Sequence, residues 1–316
     1  MFFSGFADEA CADLAGQIEV TKELGWRYIE LRNVDGKMLG TMDDREFEAL
    51  EQQLSEAGVS INCYGSAVAN WACHPRKDED FEKSRKELLT AIPRMQKLGC
   101  KMLRGMSFLV PEDEPGDSPE LEGIIFAKVR ELVKICEDNG IVYGHENCMN
   151  YGGMSYVHTL KLIDAVDSPA FTLIFDTGNP CFNLRQLGSK PYPIQSSWEF
   201  YRRCRPFITH VHIKDAVALP KADGSRPDPR YTFAGDGTGD VRAIMIDLRE
   251  SGYDGGITME PHVGTVFHDQ NADKDSEEAK SFRRSIYLEY CRRFTKLMKE
   301  CGWFLEGPGG RHAAKI

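Results

Sequence analysis

The chain has 316 residues, of which 49 are acidic and 39 basic, giving a formal net charge of −10 at pH 7. Its 41% hydrophobic and 28% charged residues are typical of a globular protein and exclude a disordered or fibrous chain. The acidic balance disfavours a nucleic-acid-binding protein, because such proteins neutralise phosphates with basic patches.

The predicted elements begin at the N-terminus with a short apolar run, FFSGF at 2–6, which we interpret as the first strand. A pattern then recurs along the chain: a helical stretch, a Gly near its end, and a short apolar run. It predicts a helix closed by a left-handed glycine and a tight turn into a buried strand. The pattern occurs at 22–32, 55–65, 96–106, 137–147 and 249–261. Two more strands, without the Gly, are predicted at 171–176 and 207–215.

Helical periodicity fills the intervals between these strands. The predicted helices are 12–25, 43–57, 81–98, 119–138, 155–166, 196–205, 240–251 and 277–299. Eight alternations of strand and helix predict a parallel sheet, either doubly wound and open or closed into a barrel. Because the composition does not change along the chain, we predict an α/β protein with a single (β/α)8 TIM-barrel domain over residues 1–316.

The links that follow the predicted strands are long. They cover 64–80, 106–118, 177–195, 214–239 and 261–276. In a parallel barrel such links build the active site at the carboxyl ends of the strands, so we expect the functional residues there. The Gly-rich segment GDGTG at 235–239 lacks the strand context of a phosphate-binding loop, and we interpret it as a turn into the next helix.

Targeting and cysteine patterns point to the cytoplasm. The N-terminus carries acidic residues where a signal peptide has basic ones, and no apolar run approaches the roughly 20 residues of a membrane span. The ten cysteines form no CxxC pair, so neither a zinc knuckle nor a thioredoxin-type site is indicated. We therefore expect a cytoplasmic protein with no membrane partner.

Polar residues end four successive late strands. They are Glu146, Asp176, His212 and Glu260, while His210 lies deeper in its strand as an expected hydrogen-bonded interior residue. A carboxylate at such a position is costly unless it is paired or bound to a cation. Three carboxylates and one imidazole suit one divalent metal ion, Mn²⁺ first, with Mg²⁺, Co²⁺ or Zn²⁺ as alternatives.

These motifs resemble the xylose isomerase-like TIM-barrel superfamily, which includes sugar phosphate isomerases/epimerases, ketose 3-epimerases, inosose dehydratases and AP endonucleases. The resemblance rests on HEN at 145–147, FDTGN at 175–179, HVHIKD at 210–215 and MEPH at 259–262, with support from GFADEA, IELR and GDGTGDV. It implies that Glu146, Asp176, His212 and Glu260 bind one cation. It also implies that Glu146 and Glu260 act as an acid/base pair on opposite faces of a sugar.

The chain departs from the ketose 3-epimerase pattern at three positions. Asn179 stands where those enzymes tend to carry a His, Gly152 where they carry a further Glu, and Ala218 where they commonly carry an Arg. The departures speak against simple epimerisation of a free ketohexose.

Several other polar residues are candidates for the substrate shell. His145 is a candidate catalytic base, or alternatively a packing residue facing away from the pore. For the remaining candidates, the alternative to binding substrate is a structural role, in which they pair with one another or with other charged groups. The candidate substrate contacts are Glu30, Arg32, Arg104, Lys214 and His262, with His268 on the same final loop.

The sequence therefore predicts a metal-dependent isomerase or epimerase of a keto- or aldo-sugar, or of a polyol-derived ketone. It would abstract a proton through a metal-stabilised enediolate. The alternative is a lyase or dehydratase that eliminates a group β to a carbonyl, for example on a 3-oxo-sugar glycoside. Two alternative functions come from other classes of protein, a DNA-repair endonuclease and a non-catalytic subunit. We expect a small carbohydrate as partner and, from the resemblance, a homo-oligomer, with a hetero-oligomer as alternative.

Overall fold

The barrel strands lie where the sequence predicts them. The computed structural model describes residues 1–111, 114–264 and 276–305. The strands of the main sheet are β1 (Phe2–Gly5), β2 (Tyr28–Leu31), β3 (Ser60–Tyr64), β4 (Met102–Gly105), β5 (Val142–Glu146), β6 (Phe171–Asp176), β7 (Ile208–Ile213) and β10 (Gly256–Met259). Two more strands, β8 (Ala216–Leu219) and β9 (Asp228–Tyr231), pair with each other as an antiparallel hairpin.

The eight main strands run parallel in the order β1-β10-β7-β6-β5-β4-β3-β2. The two end strands, β1 and β2, lie against each other, so the sheet is a nearly closed barrel. This confirms the predicted (β/α)8 TIM-barrel fold. The extension of the domain to residue 316 stays a prediction, since the last residues lie outside the described part of the chain.

Helices cover the outside of the barrel. They are α1 (Leu14–Glu23), α2 (Asp44–Ala57), α3 (Asp78–Lys97), α4 (Pro119–Asp138), α5 (Tyr156–Val166), α6 (Asn179–Phe182), α7 (Ser197–Cys204), α8 (Val241–Glu250) and α9 (Glu277–Glu300). All eight predicted helices are present. The short α6 and the β8–β9 hairpin lie in segments that the sequence predicts as loops. They are not predicted, because neither element is long enough to show a periodicity. Within the described ranges, no helix is both long and apolar enough to cross a membrane.

Local sequence signals set the helix ends. Six helices start after an Asp or Ser whose side chain accepts the backbone N–H three residues on, namely Asp13, Asp43, Ser118, Ser155, Ser196 and Ser276. The five predicted left-handed glycines have φ between 65° and 71°, which confirms the repeated helix–Gly–strand pattern. They are Gly25, Gly58, Gly99, Gly140 and Gly252.

The alternation of side chains along β6 shows how the barrel presents its polar residues. Phe175 packs outward, with its ring centroid 5.9 Å from that of Phe200 and 5.7 Å from that of Tyr201 in α7. The next residue, Asp176, consequently faces the interior. In β6 the apolar outer contact of Phe175 thus fixes a polar residue at the carboxyl end of the barrel.

Candidate metal centre

Four side chains from four adjacent strand ends converge inside the barrel. Glu146 ends β5, Asp176 ends β6, His212 lies in β7 and Glu260 follows β10. One ligand atom from each lies within 4.8 Å of those from the others, and all four residues are buried. The strand register places these residues at the same height along the barrel. Asp176 is paired with His212 across β6 and β7, and the backbone amide of Glu260 donates to the carbonyl of Ile213 at 3.0 Å.

Each of these residues has a buried atom that makes no regular hydrogen bond within the described chain, although the side-chain cations of Arg104 and Lys214 lie at ion-pair distance from the three carboxylate oxygens among them. The atoms are Glu146 Oε2, Asp176 Oδ2, His212 Nδ1 and Glu260 Oε2. Buried acceptors in such a state are costly unless a cation compensates them. Three carboxylate oxygens and one imidazole nitrogen form a donor set that fits a divalent ion.

Glu30 fixes the orientation of His212. The Nε2 atom of His212 lies 3.1 Å from Glu30 Oε1, and Glu30 Oε2 accepts a hydrogen bond from Thr258 at 2.8 Å and lies 3.0 Å from His210 Nε2. Burial raises the pKa of Glu30, but the contacts with the two histidines outweigh it and hold the pKa well below its usual range. His210 is the hydrogen-bonded interior residue that the sequence predicts.

The structure does not place Glu30, a predicted substrate contact, at the wall of the cavity. Glu30 is fully buried beneath the cluster and is not among the described residues that line the cavity. Barrel closure brings β2 close enough to β7 for its carboxylate to reach His212 instead. Glu30 therefore positions His212, a candidate metal ligand.

Lys214 bridges two of the ligand carboxylates. Its Nζ lies 3.1 Å from Asp176 Oδ2 and 3.0 Å from Glu260 Oε2. Burial raises the pKa of Glu260, but Lys214 and His212 more than offset this and keep it well below its ordinary value. For Asp176, burial outweighs the attraction of Lys214 and raises the pKa to about 6. The buried ammonium group of Lys214 therefore compensates part of the negative charge of the cluster.

Two arginines stack on the same aromatic ring. The guanidinium of Arg32 lies 4.4 Å, and that of Arg104 5.2 Å, from the centroid of Phe6. Arg32 forms a bidentate pair with Asp8 at 2.9 and 3.0 Å and reaches Glu260 at 3.3 Å. Arg104 lies 3.4 Å from Glu146. The two carboxylates predicted as an acid/base pair, Glu260 and Glu146, thus each lie beside an arginine.

The cluster opens into a cavity of about 670 Å³. Among the predicted substrate contacts, Arg32, Arg104, Lys214 and His262 line it, together with Glu146 and Glu260. His262 contacts Glu9 at 3.0 Å through Nδ1 and lies 3.5 Å from Glu260 through Nε2. His268 lies outside the described residues. The cavity is of the size that holds small molecules.

His145 does not line this cavity. Its ring is fully buried beside Phe171, with centroids 5.7 Å apart, and Nε2 lies 2.9 Å from the Ser107 hydroxyl. Burial lowers its pKa to about 4. The alternation of the strand keeps it on the outer face, so the structure places His145 in the alternative position predicted from the sequence, that of a packing residue facing away from the pore. A Cβ at Gly152 would lie 2.3 Å from this ring, which explains the absence of a side chain there.

The GDGTG segment wraps around a carboxylate. Asp215 accepts hydrogen bonds from the amides of Gly235, Gly237 and Gly239 at 2.8 to 3.0 Å. These amides are therefore engaged within the protein, and the segment is the turn before α8 that the sequence predicts. Lys214 pairs with Asp176 and Glu260 rather than with its neighbour Asp215.

Sequence reasoning missed the roles of Asp8 and Glu9. They follow β1 and hold Arg32 and His262 at the cavity wall. The available signal was their place in the GFADEA motif, directly after a predicted strand, where a polar pair faces the carboxyl end of a barrel.

Three comparisons bear on this site. The family model described as xylose isomerase-like TIM barrel matches residues 18–286. An inosose dehydratase of Lacticaseibacillus casei is 32% identical over 130 residues, which cover 38% of this chain and 39% of that protein. The chain thus spans about two fifths of the length of this curated relative.

Solved structures share the fold at low identity. A xylose isomerase-like TIM-barrel protein from Mycobacterium smegmatis in complex with magnesium has a TM-score of 0.62 at 20% identity, covering 90% of this chain and 89% of that one. A D-allulose 3-epimerase from Methylomonas sp. in complex with D-allulose has a TM-score of 0.64 at 18% identity, covering 93% and 96%. At such identities the likeness shows the fold alone.

Proposed function

Because the chain belongs to the xylose isomerase-like TIM-barrel family, we propose that it is a divalent-metal-dependent isomerase or epimerase. Its substrate is a sugar or a polyol-derived ketone, and its first step removes the proton next to the carbonyl. The convergence of Glu146, Asp176, His212 and Glu260 on one buried point carries the proposal. The metal is Mn²⁺ in this proposal, with Mg²⁺, Co²⁺ and Zn²⁺ as alternatives.

A divalent ion in this place supplies a Lewis acid that polarises a substrate carbonyl and stabilises negative charge on its oxygen. The protein supplies the bases. Glu146 and Glu260 both line the cavity, and for both the neighbouring cations outweigh burial, so the pKa lies below its ordinary value. Both are therefore ionised near neutral pH, which is the state in which a carboxylate can accept a proton.

The surrounding residues orient these two carboxylates. The Nδ2 atom of Asn179 donates to Glu146 Oε1 at 3.1 Å, and its backbone amide donates to Asp176 Oδ1 at 2.6 Å. Asn179, one of the departures from the epimerase pattern, thus links two of the ligands. Its contacts support a substrate shell different from that of a free-ketose epimerase.

The test is proton exchange in heavy water. Protein stripped with a chelator and reloaded with Mn²⁺ is incubated with a panel of ketoses, aldoses and inososes, and the products are analysed by mass spectrometry. Incorporation of deuterium with an intact carbon skeleton, dependent on the metal, supports the proposal. Equal exchange by the chelated protein contradicts it. Glu87→Gln, at a half-buried carboxylate on α3 outside the cavity lining, serves as the control for Glu146→Gln.

A dehydratase is the second candidate, and the similarity to an inosose dehydratase favours it. It shares the proton-removal step and then expels a group β to the carbonyl. Lys214, 3.0 Å from Glu260, is a proton donor in the correct part of the cavity for such a leaving group. Loss of 18 mass units, or release of an aglycone, identifies this outcome in the same experiment.

The cavity also supports a small carbohydrate, rather than a nucleic acid, as the partner. Its volume of about 670 Å³ suits a monosaccharide or a small glycoside. The homo-oligomeric state and the cytoplasmic location stay predictions.

A further inference from the structure

Among the described residues, four Lys and Arg side chains line the cavity, and three of them are neutralised within the protein. Arg32 pairs with Asp8, Arg104 with Glu146, and Lys214 with Glu260 and Asp176. Their charges compensate the carboxylates of the metal cluster. The fourth is Arg226, in the connection between β8 and β9 at the cavity wall.

Arg226 differs from the other three. In the part of the chain that the structure describes, no carboxylate lies at ion-pair distance from it. Asp228, which lines the same wall, pairs with Lys221 at 2.7 Å instead. The guanidinium of Arg226 is half-buried, 6.0 Å from the ring centroid of Phe182. A partly desolvated cation facing a cavity is a binding site for an anion.

The hydrogen bonds of Arg226 leave one edge of the guanidinium unused by the described residues. Nη1 donates to Asn183 Oδ1 at 3.2 Å and contacts the sulfur of Met149. Nε and Nη2 donate to no described residue. This is the edge with which Arg32 holds both oxygens of Asp8. The same two parallel donors are therefore available on Arg226.

We propose that Arg226 binds a carboxylate of the substrate, which makes the substrate class a polyhydroxylated keto acid. This inference rests on the proposed function, since the hydroxyketone end of the molecule must lie at the metal cluster. A carboxylate is planar and matches two parallel N–H donors, whereas a phosphate dianion usually recruits several donors. The neighbours of Arg226 on the wall are Met149, Phe182, Asp228 and Pro229, which offer no second cation.

Calorimetric titration of the Mn²⁺-loaded protein tests this with matched probes. The probes are 5-keto-D-gluconate, L-sorbose, which carries a hydroxymethyl group in place of the carboxylate, and L-sorbose 6-phosphate. We expect the keto acid to bind at least about tenfold more tightly than the ketose. Arg226→Gln removes this difference and leaves the Mn²⁺ affinity unchanged. Arg230→Gln, an exposed arginine on the same hairpin, retains it.

Each other outcome overturns the inference. Equal affinity for keto acid and ketose, including no measurable binding of either, contradicts it, and so does an Arg226→Gln protein that keeps the preference. Tighter binding of the phosphate than of the carboxylate contradicts the choice of anion. Mn²⁺ binding by the wild-type protein is measured first. Its absence contradicts the proposed function, whereas intact Mn²⁺ binding without acid preference contradicts the inference alone.

Discussion

The imidazole of His212 and the carboxylate of Glu30 are joined at 3.1 Å, between Nε2 and Oε1, so that Nδ1 of the histidine faces the other three candidate ligands. Such a carboxylate fixes the tautomer and the direction of a ligating histidine and raises its basicity. The pair thus connects β2 with the ligand set, although 182 residues separate the two in the chain.

Replacement of Glu30 weakens metal binding without unfolding the protein. We expect Glu30→Gln to lower the affinity for Mn²⁺ by about 10- to 100-fold, because a neutral amide oxygen accepts the Nε2–H bond more weakly than a carboxylate and raises the basicity of the imidazole less. Titration calorimetry measures the affinity, and circular dichroism checks the fold. Glu87→Gln is the control and keeps the wild-type affinity. Unchanged Mn²⁺ affinity in Glu30→Gln shows that Glu30 does not position His212.

Removal of the Lys214 ammonium makes the fold depend more strongly on the metal. In the chelated protein, Lys214→Met removes the cation beside Asp176 and leaves Arg32 as the cation beside Glu260, at a cost of about 3 kcal/mol in the free energy of unfolding. Added Mn²⁺ then restores more stability to the variant than to the wild type. Urea denaturation with and without Mn²⁺ measures this. Lys221→Met, at an exposed pair, gives no such difference, and an equal gain in both proteins is the contrary result.

Asp215 holds the GDGTG segment, and its removal destabilises the protein. Asp215→Ala leaves the amides of Gly235, Gly237 and Gly239 without their acceptor, with an expected loss of about 2 to 3 kcal/mol. Asp223→Ala, on an exposed turn, is the control and changes the free energy of unfolding little. An equal effect of the two substitutions in urea denaturation argues against the role of Asp215.

His145 makes the protein acid-sensitive. Burial lowers its pKa from 6.5 to about 4, so the unfolded chain takes up a proton that the folded protein excludes. The stability that neutral His145 contributes is complete above pH 6.5 and is lost as the pH falls towards 4, by up to about 3 kcal/mol. The His145→Gln protein lacks this pH-dependent contribution to the free energy of unfolding. Urea denaturation across this pH range measures it, and parallel pH profiles of wild type and variant contradict the account.

The sequence contained enough information for the barrel and for the four converging ligands. Each ligand follows an apolar run at a strand end, and a period of two residues assigns it to the inner face. The partners of Glu30 and His145 were not predictable in this way. Glu30 meets His212 only because barrel closure brings β2 towards β7, and the outward contacts of His145 come from the loops of Ser107 and Gly152.

The role of Asp215 was hidden for a related reason. The Asp215 carboxylate accepts hydrogen bonds from three backbone amides about 20 residues downstream. A Gly-rich motif alone does not show which group the amides of that motif bind. Side-chain alternation is local and can be deduced from the sequence. Contacts across the barrel require the closed structure.

Titration of the chelator-treated protein with Mn²⁺ tests the central claim most directly. The account predicts one ion per chain for the wild type, a loss of affinity of at least about 100-fold in Asp176→Asn, and wild-type binding in Asp247→Asn, an acid of α8 bonded to Tyr201. The absence of stoichiometric binding by the wild type, or wild-type affinity in Asp176→Asn, would contradict the assignment of a metal centre to this cluster.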